Sequence, residues 1–312
     1  MSDLKLFRVS SGGASELLSR AVILEKHLQQ LIERNMEAMF GVRFLVSEQS
    51  TGKVHRGRID SLGLDENNSP VIFEYKRSTN ENVINQGLFY LDWLVDHRGD
   101  FEKIVAARFG QEAAAQVEWE SPRLICVAND FTRYDEYAVR QIDRNVELVR
   151  YREFEGDLIS IELVTSTSTN STPTSTLLRT GKTGEGGSNR GSTVADLLKR
   201  SSPELRKLYE KFESFTMSLG DDIVKNERNN YFAFRRIKNF ACVEAHPSSG
   251  NLLIYLKVDP STVELTEGFS RDVRNIGHFG TGDLELRVNT VQLRVRAVLL
   301  GYVSFWLEKT CV

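Results

Sequence analysis

Hydrophobic periodicity divides the first half of the chain into alternating helices and strands. Apolar residues recur at helical spacing from Ala14 to Phe40, where Gly41 marks the end, and again from Asn82 to His97. A third helix is predicted over Phe101–Gln116. Short apolar runs predict strands at Val42–Val46, Arg123–Ala128, Val146–Tyr151 and Leu158–Val164. This mixture indicates an α/β or α+β fold for residues 1–164.

The composition changes abruptly at Thr165. Residues 165–193 consist mainly of Ser, Thr, Gly and Asn, so we expect a flexible linker that cannot bury a core. Residues 194–312 then combine a helix broken near Pro203 with several strands and a terminal helix, which predicts a separate α+β domain. A length of 312 residues agrees with two domains.

One stretch, from Gly57 to Arg77, carries the polar residues of greatest interest. It reads GRIDSLGLDENNSPVIFEYKR and predicts two strands joined by a polar turn. Glu74 and Lys76 lie two residues apart, so both project from one face of the second strand. The turn brings that strand back beside Asp60 on the first strand. We therefore expect two carboxylates and one ammonium group to converge.

Two convergent carboxylates suit Mg²⁺ or Mn²⁺, which commonly bind one or two carboxylates together with waters and phosphate oxygens. A lysine beside them would orient or deprotonate a water and stabilise the charge that develops on a phosphate under attack. A solvated strand edge with a surface ion pair is the alternative, and such pairs are common and contribute little stability. Spacing alone leaves both interpretations open.

Overall composition narrows the classes of partner. The formal net charge is −3, which argues against a nonspecific DNA coat but not against an enzyme whose metal ion neutralises phosphate locally. We expect a cytoplasmic protein without membrane contact, because the sequence has neither an apolar run of membrane-spanning length nor a signal-peptide pattern. The three cysteines form no CxxC pair, so neither zinc nor a disulfide framework is predicted.

The segments GRID, FEYKR and NQGLFYLDWL resemble the PD-(D/E)XK nuclease superfamily, and more narrowly its NucS-related branch, over about residues 15–160. The resemblance implies a restriction-endonuclease-like αβ sandwich for residues 1–164. It implies a metal site held by Asp60 and Glu74, with Lys76 activating water and Gln86 supporting the site. An acid from the first helix would complete the metal site, and Glu25 fits that position with Glu33 as the competing choice. The residues implied as nucleic-acid contacts are Tyr90, Arg58 and Arg77.

The function implied by this resemblance is that of a Mg²⁺- or Mn²⁺-dependent endonuclease acting on DNA in preference to RNA. The superfamily also contains homodimers and members that have lost activity. A catalytically silent module that binds nucleic acid or a partner protein is therefore the alternative. Residues 194–312, with RRIKNFACVEA and IGHFGTGDLEL, resemble a domain of unknown function labelled a predicted transport protein, although no membrane span supports transport.

Overall fold

The computed structural model describes residues 4–20, 24–52, 56–76, 83–167 and 193–289. The chain divides into two compact units, 1–172 and 173–312, and each contains a six-stranded sheet with helices. The predicted α+β class is confirmed. Residues 168–192 of the predicted linker and residues 290–307 of the predicted terminal helix lie outside the described residues. Thr165 and Ser166, predicted to open the linker, belong instead to the last strand of the first unit. Within the described ranges, no helix is long and apolar enough to span a bilayer.

Among the described residues, the first unit starts with a hairpin and continues with nine further elements before its last two strands. Its strands are β1 (Leu6–Ser10), β2 (Gly13–Leu17), β3 (Val42–Ser50), β4 (Arg58–Asp65), β5 (Pro70–Lys76), β6 (Arg123–Ala128), β7 (Asn145–Phe154) and β8 (Leu158–Ser166). Its helices are α1 (Glu25–Phe40), α2 (Val83–Asp96), α3 (Arg98–Phe109), α4 (Gln111–Ala115) and α5 (Arg133–Arg140).

The main sheet of this unit has the strand order β3-β4-β5-β6-β7-β8. Strands β5, β6 and β7 are parallel to one another, and the remaining pairs are antiparallel. Helices α2 to α4 connect β5 to β6, and α5 connects β6 to β7. The carboxyl ends of the three parallel strands therefore meet at the same edge of the sheet.

Helices cover both faces of this sheet. On one face, Phe40 of α1 packs edge-on against Phe73 of β5, with ring centroids 5.1 Å apart. On the other face, Leu91 and Leu94 of α2 share a core with Ile72. Strand β6 lies between these layers and is buried at all six positions, as expected of a central parallel strand.

Two predicted helices are wrong in extent. The helix expected from Ala14 begins only at Glu25, because residues up to Leu17 pair with β1 and obtain their backbone hydrogen bonds in that hairpin. The helix does break at Asn35 and end at Gly41 (φ 65°), as expected. The helix expected over 101–116 is two helices, since Gly110 (φ 94°, ψ 166°) takes a conformation that ends α3.

A buried ionic network locks the turn between β4 and β5. The Oδ1 of Asp65 accepts hydrogen bonds from the backbone N–H groups of Asn67 and Ser69, both at 2.8 Å. Its Oδ2 accepts from Arg123 of β6 at 3.0 Å, and the same guanidinium donates two hydrogen bonds to Glu147 of β7. All three charged side chains are almost completely buried, so the network joins three strands at this end of the sheet.

In the part of the second unit that the structure describes, helices pack against a six-stranded sheet. Its elements are α6 (Val194–Lys199), α7 (Pro203–Met217), β9 (Val224–Glu227), β10 (Phe232–Arg235), β11 (Asn239–His246), β12 (Asn251–Leu256), β13 (Ser270–Asp272) and β14 (Leu284–Asn289). The sheet order is β13-β14-β12-β11-β10-β9, and all its pairs are antiparallel. Thr193 caps α6 in a capping box with Asp196, and the helix break predicted near Pro203 is confirmed.

We expect Arg123→Ala to lower the free energy of unfolding of the first unit by about 3 to 5 kcal/mol, because it leaves two buried carboxylates without their cation. Urea unfolding followed by tryptophan fluorescence measures the change. Lys103→Ala is the matched control, since it removes a cation from the exposed pair with Asp100 and should change stability by less than about 1 kcal/mol. Equal effects of the two variants would contradict the structural role of the network.

Candidate active site

The predicted convergence of Asp60 and Glu74 occurs at the end of the β4–β5 pair. The backbone pairing of these strands ends at Ser61 and Phe73, and side chains continue it. The backbone N–H of Asp60 donates to Oε1 of Glu74 at 3.3 Å, while the N–H of Tyr75 donates to Oδ2 of Asp60 at 3.0 Å. Each carboxyl group is therefore held by the backbone of the opposite strand.

Burial makes this carboxyl pair unusual. Glu74 is completely buried, and its Oε2 has no hydrogen-bond partner among the described residues. Burial, together with the nearby charge of Asp60, raises the pKa of Glu74 to about 9, and burial also raises the pKa of Asp60. At neutral pH the pair therefore retains a proton.

The pair fits a hard divalent cation. Two adjacent carboxyl groups, each held by a backbone N–H of the opposite strand and one with an unbonded oxygen, form a site in which a cation can replace the retained proton. Mg²⁺ needs no more than two carboxylates, because waters and substrate phosphates complete its shell. Among the residues described, no three Asp, Glu, His or Cys side chains are grouped to hold a metal, so the role of Glu25 as a third ligand stays a prediction.

Lys76 lies beside the carboxyl pair. Its side chain is 14% exposed, and its Nζ lies 3.6 Å from Oε1 of Glu25 at the start of α1. Burial raises the pKa values of Asp60 and Glu74, and the charge of Lys76 partly opposes that rise at both carboxyl groups. Lys76 is therefore close to both of them. The acid from the first helix thus contacts the lysine, and the lysine stands beside the carboxyl pair.

Behind β4 lies a polar layer that sequence reasoning missed. Gln29 of α1 is buried, and its Nε2 donates to the backbone carbonyl of Asp60 at 2.8 Å and to Glu33 at 2.9 Å. Glu33 in turn accepts a hydrogen bond of 2.6 Å from the hydroxyl of Ser61. Glu33 is therefore bound to protein groups next to the pair. The sequence held one signal for this layer, a glutamine at a position of α1 that faces the core between apolar residues.

Gln86 and Tyr90, four residues apart in sequence, lie on one face of α2, as the helix period predicts. The amide of Gln86 donates to the hydroxyl of Tyr90 at 3.1 Å, and the backbone N–H of Arg58 donates to the same hydroxyl at 3.2 Å. Tyr90 is buried, so it supports the start of β4, and its contact with nucleic acid stays a prediction. Gly57 is required here, since a Cβ would lie 2.4 Å from the Tyr90 ring.

The two arginines expected to contact nucleic acid differ in what is known of their position. Arg58 is exposed and forms an ion pair with Glu48, which also binds Lys26 at 2.8 Å. The hydrogen bond from Lys26 and the charges of Lys26 and Arg58 hold the pKa of Glu48 below its ordinary value. Arg58 lies two residues before Asp60 on β4. Arg77 lies outside the described residues.

A family model and one relative match this chain in sequence. The model of a domain of unknown function (DUF5655) matches residues 194–299, and its description assigns no activity. An uncharacterized protein from Haemophilus influenzae (strain Rd) is 29% identical over 296 residues, which cover 93% of this chain and 95% of that protein. The match therefore extends across both units of this chain.

Three solved structures give partial matches. The crystal structure of a repair endonuclease from Pyrococcus abyssi is 18% identical, with 43% of this chain matching 49% of that chain at a TM-score of 0.25. The structure of an EndoMS–dsDNA complex is also 18% identical, with 47% of this chain matching 65% of that chain at a TM-score of 0.24. The chain thus spans about half to two thirds of these proteins. TM-scores this low do not establish a shared fold or activity.

We expect the stability of the metal-free protein to fall as pH rises between the unfolded pKa of Glu74, about 4.5, and its folded value of about 9. The folded state holds a proton that the unfolded state releases, so each pH unit costs up to about 1.4 kcal/mol. Glu74→Gln cannot titrate and should lose most of this slope. Urea unfolding in EDTA between about pH 6 and about pH 8 measures it.

Glu37→Gln, an exposed change on α1, is the matched control and should keep the wild-type slope. Parallel slopes for the wild type and Glu74→Gln would show that the buried carboxyl does not titrate as the geometry requires.

Proposed function

We propose that this protein is a metal-dependent endonuclease that hydrolyses phosphodiester bonds in DNA. The observation that supports this proposal is the buried Asp60–Glu74 carboxyl pair, with one unbonded oxygen, beside the partly exposed ammonium group of Lys76. A buried carboxyl oxygen without a partner is uncommon in folded proteins, and a site that binds a cation accounts for it. The assignment to the PD-(D/E)XK superfamily is part of the proposal.

Asp60 and Glu74 would hold Mg²⁺ or Mn²⁺. Such an ion, when bound, supplies Lewis-acid activation and neutralises charge at a scissile phosphate. The N–H of Tyr75 fixes the Asp60 carboxylate, and the N–H of Asp60 fixes that of Glu74, so neither carboxylate has to reorganise when an ion binds. Cation binding would also release the proton that the pair holds at neutral pH.

Lys76 would act on the water and on the phosphate. Its side chain is 14% exposed and its charge acts on both carboxyl groups, so the ammonium group would orient the attacking water and stabilise the negative charge that develops on the phosphate oxygens. Glu25 would hold the lysine in this position through their 3.6 Å contact. Gln86 would act through Tyr90, which fixes the start of β4 and hence the position of Asp60.

We expect Lys76→Met and Glu74→Gln each to lower the rate of DNA cleavage with Mn²⁺ by at least about a hundredfold, because the first removes the ammonium group that acts on the phosphate and the second removes a ligand of the metal ion. The measurement is a cleavage assay on single-stranded, double-stranded, branched and modified DNA, with RNA alongside. Lys103→Met and Glu37→Gln are the matched controls for charge and size, and both should cleave at the wild-type rate.

Isothermal calorimetry with Mn²⁺ separates the enzyme from the silent alternative. We expect wild-type protein to bind Mn²⁺ and Asp60→Asn to lose most of that binding, with an unchanged circular dichroism spectrum. Absence of Mn²⁺ binding in the wild type, or cleavage by the Lys76 and Glu74 variants at the wild-type rate, would overturn the proposal. DNA binding without cleavage would identify a silent binding module.

A further inference from the structure

Glu48 of β3 lies across from Asp60 in the main sheet of the first unit. Strand β3 pairs with β4 on both sides of this position, and the register places Glu48 opposite Asp60. Carboxylates that face each other on adjacent strands repel. Burial is the largest cause of the raised pKa of Asp60, and the negative charge of Glu48 adds to it. Glu48 therefore lies within electrostatic range of the candidate active site.

The backbone of Glu48 has a conformation that is unfavourable inside a strand. Its φ of 57° lies in the left-handed region. Asn68 and Asp157 have similar φ values, but both of them lie in turns. Residues other than glycine that are held in this conformation are concentrated at binding and catalytic sites. The ion pairs of Glu48 do not account for the strain, because pairs with exposed cations contribute little to stability.

Each carboxylate oxygen of Glu48 binds one cation. Its Oε1 lies 2.8 Å from Nζ of Lys26 in the first turn of α1, and its Oε2 pairs with Nε of Arg58 on β4. The side chains of Lys26 and Arg58 are 55% and 69% exposed, so a ligand can reach both cations. The two non-bridging oxygens of a phosphodiester are acceptors of the same kind, and each of them could bind one cation as the oxygens of Glu48 do.

The two cations are connected to Asp60 through the protein. Arg58 precedes Asp60 by two residues on β4, which corresponds to about 6.6 Å along a strand. Lys26 donates to the side-chain oxygen of Gln29 at 3.1 Å, and Gln29 donates to the backbone carbonyl of Asp60 at 2.8 Å. A phosphate that is bound by Lys26 and Arg58 would therefore lie beside the phosphate that reacts at Asp60.

We infer that Lys26 and Arg58 form a binding site for the phosphodiester next to the scissile one, and that Glu48 occupies this Lys26–Arg58 site until DNA displaces it. Glu48 is a positioning residue, since it holds two like charges together in the free protein and competes with the phosphate for them. The inference rests on the proposed function, which supplies DNA as the ligand. It makes Glu48 a residue that weakens substrate binding without taking part in the chemical step.

The test measures binding without cleavage. Fluorescence anisotropy in EDTA follows the full-length protein with a labelled DNA duplex of about 20 base pairs and with a single strand of the same length. We expect Glu48→Gln to tighten binding by about fivefold, because the carboxylate no longer competes with the phosphate for two cations. With Mn²⁺ and a cleavable DNA, KM should fall by the same factor at an unchanged kcat.

A second set of variants separates displacement from a general effect of charge. Glu37→Gln makes the same change in net charge at an exposed position of α1, and it should alter affinity by less than about twofold. Lys26→Met/Arg58→Met should weaken binding and reduce its dependence on salt. Adding Glu48→Gln to that double variant should then have no effect, because the cations for which Glu48 competes are absent.

Glu48→Gly tests for a purely structural role. Glycine suits the left-handed backbone, so this variant should tighten binding as well, and its urea midpoint should not fall below that of the wild type. A lower midpoint together with unchanged affinity would show that Glu48 serves the fold, and it would overturn the inference.

Three further results would overturn it. They are wild-type affinity in Glu48→Gln, equal tightening by Glu37→Gln, and tightening by Glu48→Gln that persists without Lys26 and Arg58. Displacement of the oligonucleotide by micromolar inorganic phosphate would make free phosphate the ligand and would also contradict the inference.

The outcome can be told apart from that of the proposed function. If Glu48→Gln tightens DNA binding but the wild type cleaves no substrate, the Lys26–Arg58 site stands and the proposed function fails. If the wild type cleaves DNA and Glu48→Gln changes neither affinity nor KM, the proposed function stands and this site fails.

Discussion

The register between β4 and β5 is the constraint on which the candidate site depends. A one-residue shift would turn Asp60 to the opposite face and separate it from Glu74. The turn that fixes this register is held by Asp65, whose two oxygens bind the turn backbone on one side and Arg123 on the other. An ionic network at one end of the strands thus determines where two carboxyl groups meet at the other end.

The candidate site destabilises the folded unit that contains it. Two carboxyl groups in a buried position, one with an unbonded oxygen, raise the energy of the metal-free protein. The surroundings offset this cost: Gln29 satisfies the carbonyl of Asp60, Glu33 and Ser61 bind each other beside it, and Tyr90 holds the start of β4. These neighbours form a rigid shell, and the carboxyl groups and Lys76 remain available for chemistry.

Local patterns predicted the parts of this site that are close together in sequence. The strand–turn–strand unit, the shared face of Glu74 and Lys76, and the Gln86–Tyr90 pair depend only on strand and helix periods, which are visible in a short window. Gln29 and Arg123 were not predicted, because their partners lie 31 and up to 58 residues away. An arginine inside an apolar run gives no sign of which buried acids it will meet. Likewise, the predicted start of α1 at Ala14 was wrong, because the residues up to Leu17 pair with β1 in a hairpin despite their helical periodicity.

The parallel arrangement of β5 and β6 separates the strand residues of the candidate site from the connection that follows β6. Chemical groups lie on the strands themselves, whereas the segment after β6 is a connection that enters no sheet ladder until β7. The exposed positions of residues 129–144 can therefore change without moving Asp60, Glu74 or Lys76, whereas Phe131 and Val139 belong to the core of the unit. Any exchange of this segment should keep those two residues and Asp130, which the guanidinium of Arg150 anchors to β7.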